Sequence, residues 1–355
     1  MNHVQTLLQQ LTRRESLTRD QTRSLFERVV AGEVEPPLLA AILAALATRG
    51  ETADEIAGAV DALRACVTPV RTPEGVEAID TCGTGGDGKP LFNVSTAAGI
   101  VAAAGGATVA KHGNRSHARP SGSAEGLTAL GIDTHAEVPL LERCLRECRI
   151  AFLYAPRLHP AMRHAAPVRI ALGVRTIFNL VGPLANPAGV RRQLVGVSRP
   201  EHVPLILGAL RELGSIRALV VHGLEGLCDV SISGPTRIGR LDTEASAPDR
   251  PAAGAISIHD VDAADLGIPR APLDALFVSS PAESAARIRT ALDPAQPDTP
   301  VRDMVVANAA AALWVAGRAA DLADGARRAG DAIRSGAAAD TLERWRRLAP
   351  VATTA

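Results

Sequence analysis

Asp80-Thr81-Cys82-Gly83-Thr84-Gly85-Gly86-Asp87-Gly88 decides how this chain folds. It follows the short strand-like segment Val76 to Ile79 and leads into Asn93-Val94-Ser95-Thr96, where a helix is expected to start. Glycine takes backbone angles that a Cβ forbids and lets amide groups approach a ligand closely. A strand, a glycine loop and a helix start in that order build a nest of N–H donors suited to phosphate. The spacing is neither that of a dinucleotide fingerprint nor that of a P-loop, which ends in Gly-Lys-Ser/Thr. Asp87 would repel phosphate unless it meets a sugar hydroxyl or a metal.

A second cluster follows at once. Lys111-His112-Gly113-Asn114-Arg115-Ser116 ends the expected strand Thr108 to Ala110, and Ser121-Gly122-Ser123 opens another helix. Ligands of α/β folds gather at the carboxyl ends of strands. Lys111 and Arg115 bring charge there, and His112 and Asn114 bring directional hydrogen bonds. Only two of the 38 basic residues, Lys89 and Lys111, are lysine, and both lie in this region. A compact ammonium differs from a planar guanidinium fork, so Lys111 is the lysine assigned a function. Together the two clusters form a candidate site for a phosphorylated sugar.

The bulk composition narrows the class. With 355 residues and 46% apolar side chains, the chain can build one large or two modest folded domains. Basic and acidic residues balance at 38 each, and Phe, Tyr and Trp together number eight, which argues against a nucleic-acid binder. The longest uninterrupted apolar run, Leu38 to Ala47, is too short for a bilayer, and Met1-Asn2-His3-Val4-Gln5 lacks a signal-peptide pattern. A cytoplasmic location is expected. The five scattered cysteines imply no disulfide framework, and Cys144 with Cys148 read as semi-buried thiols.

Organisation follows from periodicity. The first 65 residues read as helices, with capping boxes at Thr18/Gln21 and Thr52/Glu55 and with Pro36-Pro37 and Gly50 as start and stop. Residues 66–75 read as a linker. Strands are then expected at Val76–Ile79, Thr108–Ala110, Ile150–Tyr154, Gln193–Val197, Ala218–His222 and Ala275–Val278. Helices such as Thr96–Ala104, Val203–Leu213 and Met304–Ala316 fall between them. This alternation predicts an α/β fold with a mostly parallel sheet, plus a smaller all-helical domain. Phe92, inside the glycine loop, is open to either a cleft or a core role.

The motifs Gly83-Thr84-Gly85-Gly86-Asp87, Asn93-Val94-Ser95-Thr96 and Lys111-His112-Gly113-Asn114-Arg115-Ser116 resemble those of the anthranilate phosphoribosyltransferase family. The resemblance continues through His159-Pro160-Ala161-Met162, Pro167-Val168-Arg169, the stretch Arg175 to Pro187 and Asn308-Ala309-Ala310, covering almost the whole chain. It implies a homodimer. It also implies a discontinuous helical domain of residues 1–65 with about 163–186, and an α/β domain of residues 76–162 and 187–350. The implied reaction transfers phosphoribosyl from 5-phosphoribosyl 1-pyrophosphate (PRPP) to anthranilate, releasing pyrophosphate in tryptophan biosynthesis. By position, Gly83, Gly86, Asp87, Asn93, Val94, Ser95, Thr96, Lys111, His112, Gly113, Asn114, Arg115, Ser116 and Ser123 would hold PRPP. Gly83, Asn114 and Arg169 would meet anthranilate with His112 nearby, and Arg169 would clamp its carboxylate. Ser95 and Asp229 would hold Mg²⁺.

The chain departs from the family pattern at specific points. The family usually carries an adjacent Asp-Glu metal pair where this chain has Cys228-Asp229, so one Mg²⁺ site is expected and a second is in doubt. Glu225 lies three residues upstream, and a turn-surface role is expected for it. Leu91 stands where the family usually has Thr, and Pro120 replaces a usually polar residue. Other readings therefore stay open: a phosphoribosyltransferase with another acceptor or weakened metal dependence, or a non-enzymatic nucleic-acid-binding relative of the same fold. A pyrimidine nucleoside phosphorylase is disfavoured by the Lys111-His112-Gly113-Asn114 run, since that group tends to have Ser after Lys-His.

Overall fold

The computed structural model describes residues 3–116, 119–244 and 256–351. Residues 1–2, 117–118 and 245–255, which fall within the expected domain bounds, lie outside the described residues. The N-terminal part of the fold is helical for the local reasons expected. Thr18 and Thr52 each accept the amide of the residue three positions on, and Gln21 and Glu55 return the bond to the cap backbone. Pro36 opens the helix Pro36–Arg49, and the amide of Gly50 closes it on the Leu46 carbonyl.

Beyond the irregular segment 66–78, seven strands form one sheet in the order β3-β2-β1-β4-β5-β6-β7. They are β1 Ile79–Gly83, β2 Val109–Gly113, β3 Ile150–Tyr154, β4 Arg192–Gly196, β5 Arg217–Gly223, β6 Thr236–Asp242 and β7 Ile256–Val261. The first five run parallel, and β6 and β7 are antiparallel additions at the edge. β1 lies between β2 and β4, so the strand order reverses at the glycine loop. That reversal leaves a crevice at the strand carboxyl ends.

Two expectations need correction. Ala275–Val278 is not a strand: Leu273–Leu276 forms a 3₁₀ turn, and Phe277 makes only an isolated bridge to Leu91. The first strand begins at Ile79 rather than Val76, which makes Gly83 its last residue. β6 and β7 escape a reading of the sequence because Arg237, Gly239 and Arg240 interrupt the apolar pattern. They are held by a full antiparallel register and a cross-strand ion pair from Arg237 to Asp260 of 2.9 Å.

Two apolar cores flank the sheet. One wraps the buried helix Val94–Ala104 and the C-terminal helices, and Phe92 belongs to it, fully buried. The other joins the N-terminal helices to Val168, Ile177, Phe178 and Leu180, and continues onto Val195 and Val220 of the sheet. Cys144 and Cys148 are buried thiols.

Candidate active site

β1, β2 and the helix starts that follow them enclose a cleft of about 440 Å³, enough for a small phosphorylated ligand. Gly85 and Gly86 lie at φ of 60° and 84°, where a Cβ is strained. At Gly86 a Cβ would also collide with Nη1 of Arg175. That arginine donates to the Gly85 carbonyl at 2.9 Å, fastening the loop to the segment before the helix Ile177–Val181. Its Nη2 is buried with no hydrogen-bond partner among the described residues.

Lys111 is almost fully buried yet lines the cleft. Its ammonium donates to the Thr81 carbonyl at 2.6 Å and to Ser95 Oγ at 3.0 Å. Burial lowers its pKa, opposed by the carboxylates of Asp80 and Asp229. Asp80, beneath the cleft, accepts from the His112 amide at 3.0 Å and from Asn186 Nδ2 at 2.8 Å. Burial still raises its carboxyl to about 6.

Nε2 of His112 lies 3.1 Å from Nε2 of His159. Burial pushes His112 down to about 3, with His159 adding to the effect, and burial pushes His159 down to about 4. Both rings are neutral at pH 7, so the pair offers one shared proton rather than cationic charge. Arg169 lines the cleft with its guanidinium 5.2 Å from the centroid of the Phe178 ring.

The expected site residues do not all present side chains to this cleft. Gly83, Gly86, Asn93, Val94, Ser95, Lys111, His112, Gly113, Asn114, Arg115, Ser116, Ser123, Arg169, Cys228 and Asp229 line it. Thr96 is fully buried, its hydroxyl without a partner among the described residues. Asn93 caps its helix by position only. Its Oδ1 instead accepts from Ser121 Oγ and Ser284 Oγ at 2.7 and 2.8 Å, which ties the loop at Ser121 to the first turn of the helix Pro281–Leu292. The Asp87 carboxylate is inaccessible and ion-paired to Arg119. Arg119 and Arg175 both line the cleft, and sequence reasoning gives neither a role. Arg175 lies inside a stretch of family resemblance, whereas Arg119 carries no local signal.

The donor set suits one hard cation. The Ser95 hydroxyl and Asp229 carboxyl face the cleft, and Mg²⁺ commonly takes few protein ligands and several phosphate oxygens. Cys228 does not fit a second ion. Burial, with Asp229 adding to it, pushes its thiol up to about 12, and sulfur is a soft ligand that suits soft metals rather than Mg²⁺. Among the described residues no cluster of three His, Cys, Asp or Glu could hold a metal. Glu225 does not line the cleft; its Oε1 accepts from Ser231 Oγ instead.

A glycine-loop cleft at a sheet's switch point, beside a helical bundle, defines a class. The chain matches the family models for the glycosyl transferase family, helical bundle domain over residues 5–67 and a/b domain over residues 75–339. Among curated proteins, anthranilate phosphoribosyltransferase of Rhizobium meliloti (strain 1021) is 43% identical, covering 97% of this chain and 98% of its own. The Anaeromyxobacter sp. (strain K) enzyme of the same name is 46% identical, covering 96% of each. The crystal structure of anthranilate phosphoribosyltransferase from Thermus thermophilus superposes with a TM-score of 0.87 at 39% identity, covering 98% of this chain and 99% of that one. The Saccharomyces cerevisiae enzyme in complex with PRPP and Mg shares the fold, with a TM-score of 0.83 at 24% identity over 97% of each chain. The chain belongs to the anthranilate phosphoribosyltransferase family.

Proposed function

We propose that this protein transfers the phosphoribosyl group of PRPP to the amine of anthranilate, releasing pyrophosphate. The observation that carries the reading is the coincidence of the glycine-loop amides, the Lys111 ammonium and the Ser95 hydroxyl in one cleft. The bond from ribose C1 to pyrophosphate breaks as positive charge grows on the ring and negative charge on the leaving group. Amides of residues 83–86 and the start of the helix Val94–Ala104 stabilise that negative charge, with Lys111 beside them. The aromatic amine attacks C1 through its own lone pair and then loses a proton. It is neutral at pH 7, so positioning rather than a strong base supplies the acceleration.

Arg169 clamps the anthranilate carboxylate, with Gly83, Asn114 and His112 at its side. PRPP is held by Gly83, Gly86, Asn93 to Thr96, Lys111 to Ser116 and Ser123, with Thr96 acting through its backbone. Asp87 acts through the loop it anchors. Ser95 and Asp229 would hold one Mg²⁺, which would offset diphosphate charge.

The helical unit is read as residues 1–65 with about 163–186, joined by the linker 66–75. The shared apolar core of those two segments supports this. Family membership supports a homodimer in the cytoplasm, and light scattering tests the dimer. No helix among the described residues is long and apolar enough to cross a membrane.

Loss of anthranilate fluorescence on mixing with PRPP and Mg²⁺, with N-(5-phosphoribosyl)anthranilate found by mass, is the expected outcome. Binding of single-stranded DNA without such turnover would favour the non-enzymatic alternative. Turnover only with a different amine would favour another acceptor.

A further inference from the structure

Asp87 and Arg119 form a buried ion pair at the edge of the cleft, against Cys228. Arg119 Nε donates to Asp87 Oδ1 at 2.7 Å, and its Nη2 donates to Oδ2. The amide of Cys228 donates to the same Oδ2 at 3.2 Å. The Arg119 amide is pinned to Ser116 Oγ at 2.8 Å, which fixes the base of the side chain. The Asp87 side chain is 0% exposed and that of Arg119 18%, so the guanidinium points inward. It shares the cleft wall with Ser95, Lys111, Cys228 and Asp229.

Charge balance explains this arrangement. A divalent cation between two carboxylates and a guanidinium beside one carboxylate carry the same net charge. This chain has one carboxylate fewer than the family's metal pair, and the Arg119 guanidinium lines the same cleft as the remaining one. Arginine presents five N–H donors in a planar fork. Two face Asp87, which leaves three for the oxygens of a diphosphate, a ligand that arginine grips bidentately.

We infer that Arg119 is a diphosphate-binding residue that stands in for a second divalent cation in this protein. The inference rests on the reading that the cleft binds PRPP. It makes the enzyme a one-metal phosphoribosyltransferase in which a side chain supplies part of the grip on the leaving group, a part that no chelator removes.

Calorimetric titration with PRPP in excess Mg²⁺, together with counting of bound Mn²⁺ by electron paramagnetic resonance in the PRPP complex, tests it. The wild type should hold one Mn²⁺ per chain. Arg119→Ser should bind PRPP about 10- to 100-fold more weakly, the loss typical of hydrogen bonds to a charged group. The double variant Arg119→Ser with Cys228→Asp should regain affinity and hold a second Mn²⁺. Two Mn²⁺ per wild-type chain, or an Arg119→Ser affinity within about twofold of wild type, would overturn the inference while leaving the PRPP site intact. Wild type that binds no PRPP would overturn both it and the assigned reaction. Should Arg119→Ser fail to fold, the wild-type metal count decides alone.

Discussion

His112 and His159 share one proton at 3.1 Å, and burial keeps both rings neutral. Their folded pKa values, about 3 and about 4, lie below the ordinary value of 6.5, so the unfolded chain binds more protons between those limits. Their contribution is complete above pH 6.5 and is lost as pH falls toward 4 and then 3. Asp80 works in the opposite sense. Its carboxyl is raised from 3.8 to about 6, so acidification across that window favours the fold. The histidine pair therefore makes thermal stability fall more steeply, or rise less, from pH 6.5 to 4 than the rest of the chain alone would. In His159→Asn the melting temperature should drop less, relative to its value at pH 6.5, than in the wild type, and an unchanged profile would contradict the pair's role. Asp80 nevertheless has a structural use: both its oxygens accept, from the His112 amide and from Asn186. Asp80→Asn would set an amide donor against Asn186 Nδ2, which is already donating to the Ala110 carbonyl. Denaturant titration should show a loss of about 1–3 kcal/mol, despite removal of a buried charge. For Arg169→Ala, the KM for anthranilate should rise at least about tenfold while PRPP affinity stays near wild type, as expected for a charged hydrogen bond lost to one substrate only. Equal losses for both substrates would contradict its role.

The glycine loop is the element on which the site turns. Its strand, its glycines and the polar helix start are adjacent in the chain, so local chemistry exposes them to a reading of the sequence. Gly86 shows how tightly the fold uses that freedom, since a methyl group there meets both a positive φ and the Arg175 guanidinium. Gly86→Ala should therefore weaken PRPP binding by at least about tenfold, through strain and a displaced loop, and lower stability by about 1–3 kcal/mol. A tight-binding Gly86→Ala would show that the loop is not the cradle. Arg119 is hidden because its partner Asp87 is 32 residues away, and Arg175 because the Gly85 carbonyl it holds is 90 residues away. No periodicity or local spacing encodes such pairs. The same limit explains β6, whose buried Thr236, Ile238 and Leu241 alternate imperfectly with arginines and a glycine. Ala275–Val278 misleads for the opposite reason. It is a short apolar run buried by a neighbouring loop rather than by strand pairing, and its Val278 amide reaches the Pro90 carbonyl.

At the scale of the molecule, the apolar core under the N-terminal helices carries through the segment around Phe178 to the sheet. Phe178 meets Phe26 edge-on, with ring centroids 5.4 Å apart, and also supports the Arg169 guanidinium. Stability and the proposed anthranilate recognition thus meet in one ring. Phe178→Ala should cost about 3–5 kcal/mol in denaturant unfolding, and it should raise the anthranilate KM more than it weakens PRPP binding. The alternation of strands and helices makes this two-part architecture legible, but the continuity between the parts depends on packing that only the three-dimensional structure displays. The central claim is that the cleft at the sheet's switch point holds the diphosphate of the phosphoribosyl donor. A crystal structure of the protein with PRPP and Mg²⁺ tests it most directly. Diphosphate density against the amides of residues 83–86, within hydrogen-bond reach of the start of the helix Val94–Ala104, is the predicted result; an empty cleft with the donor bound elsewhere would contradict it.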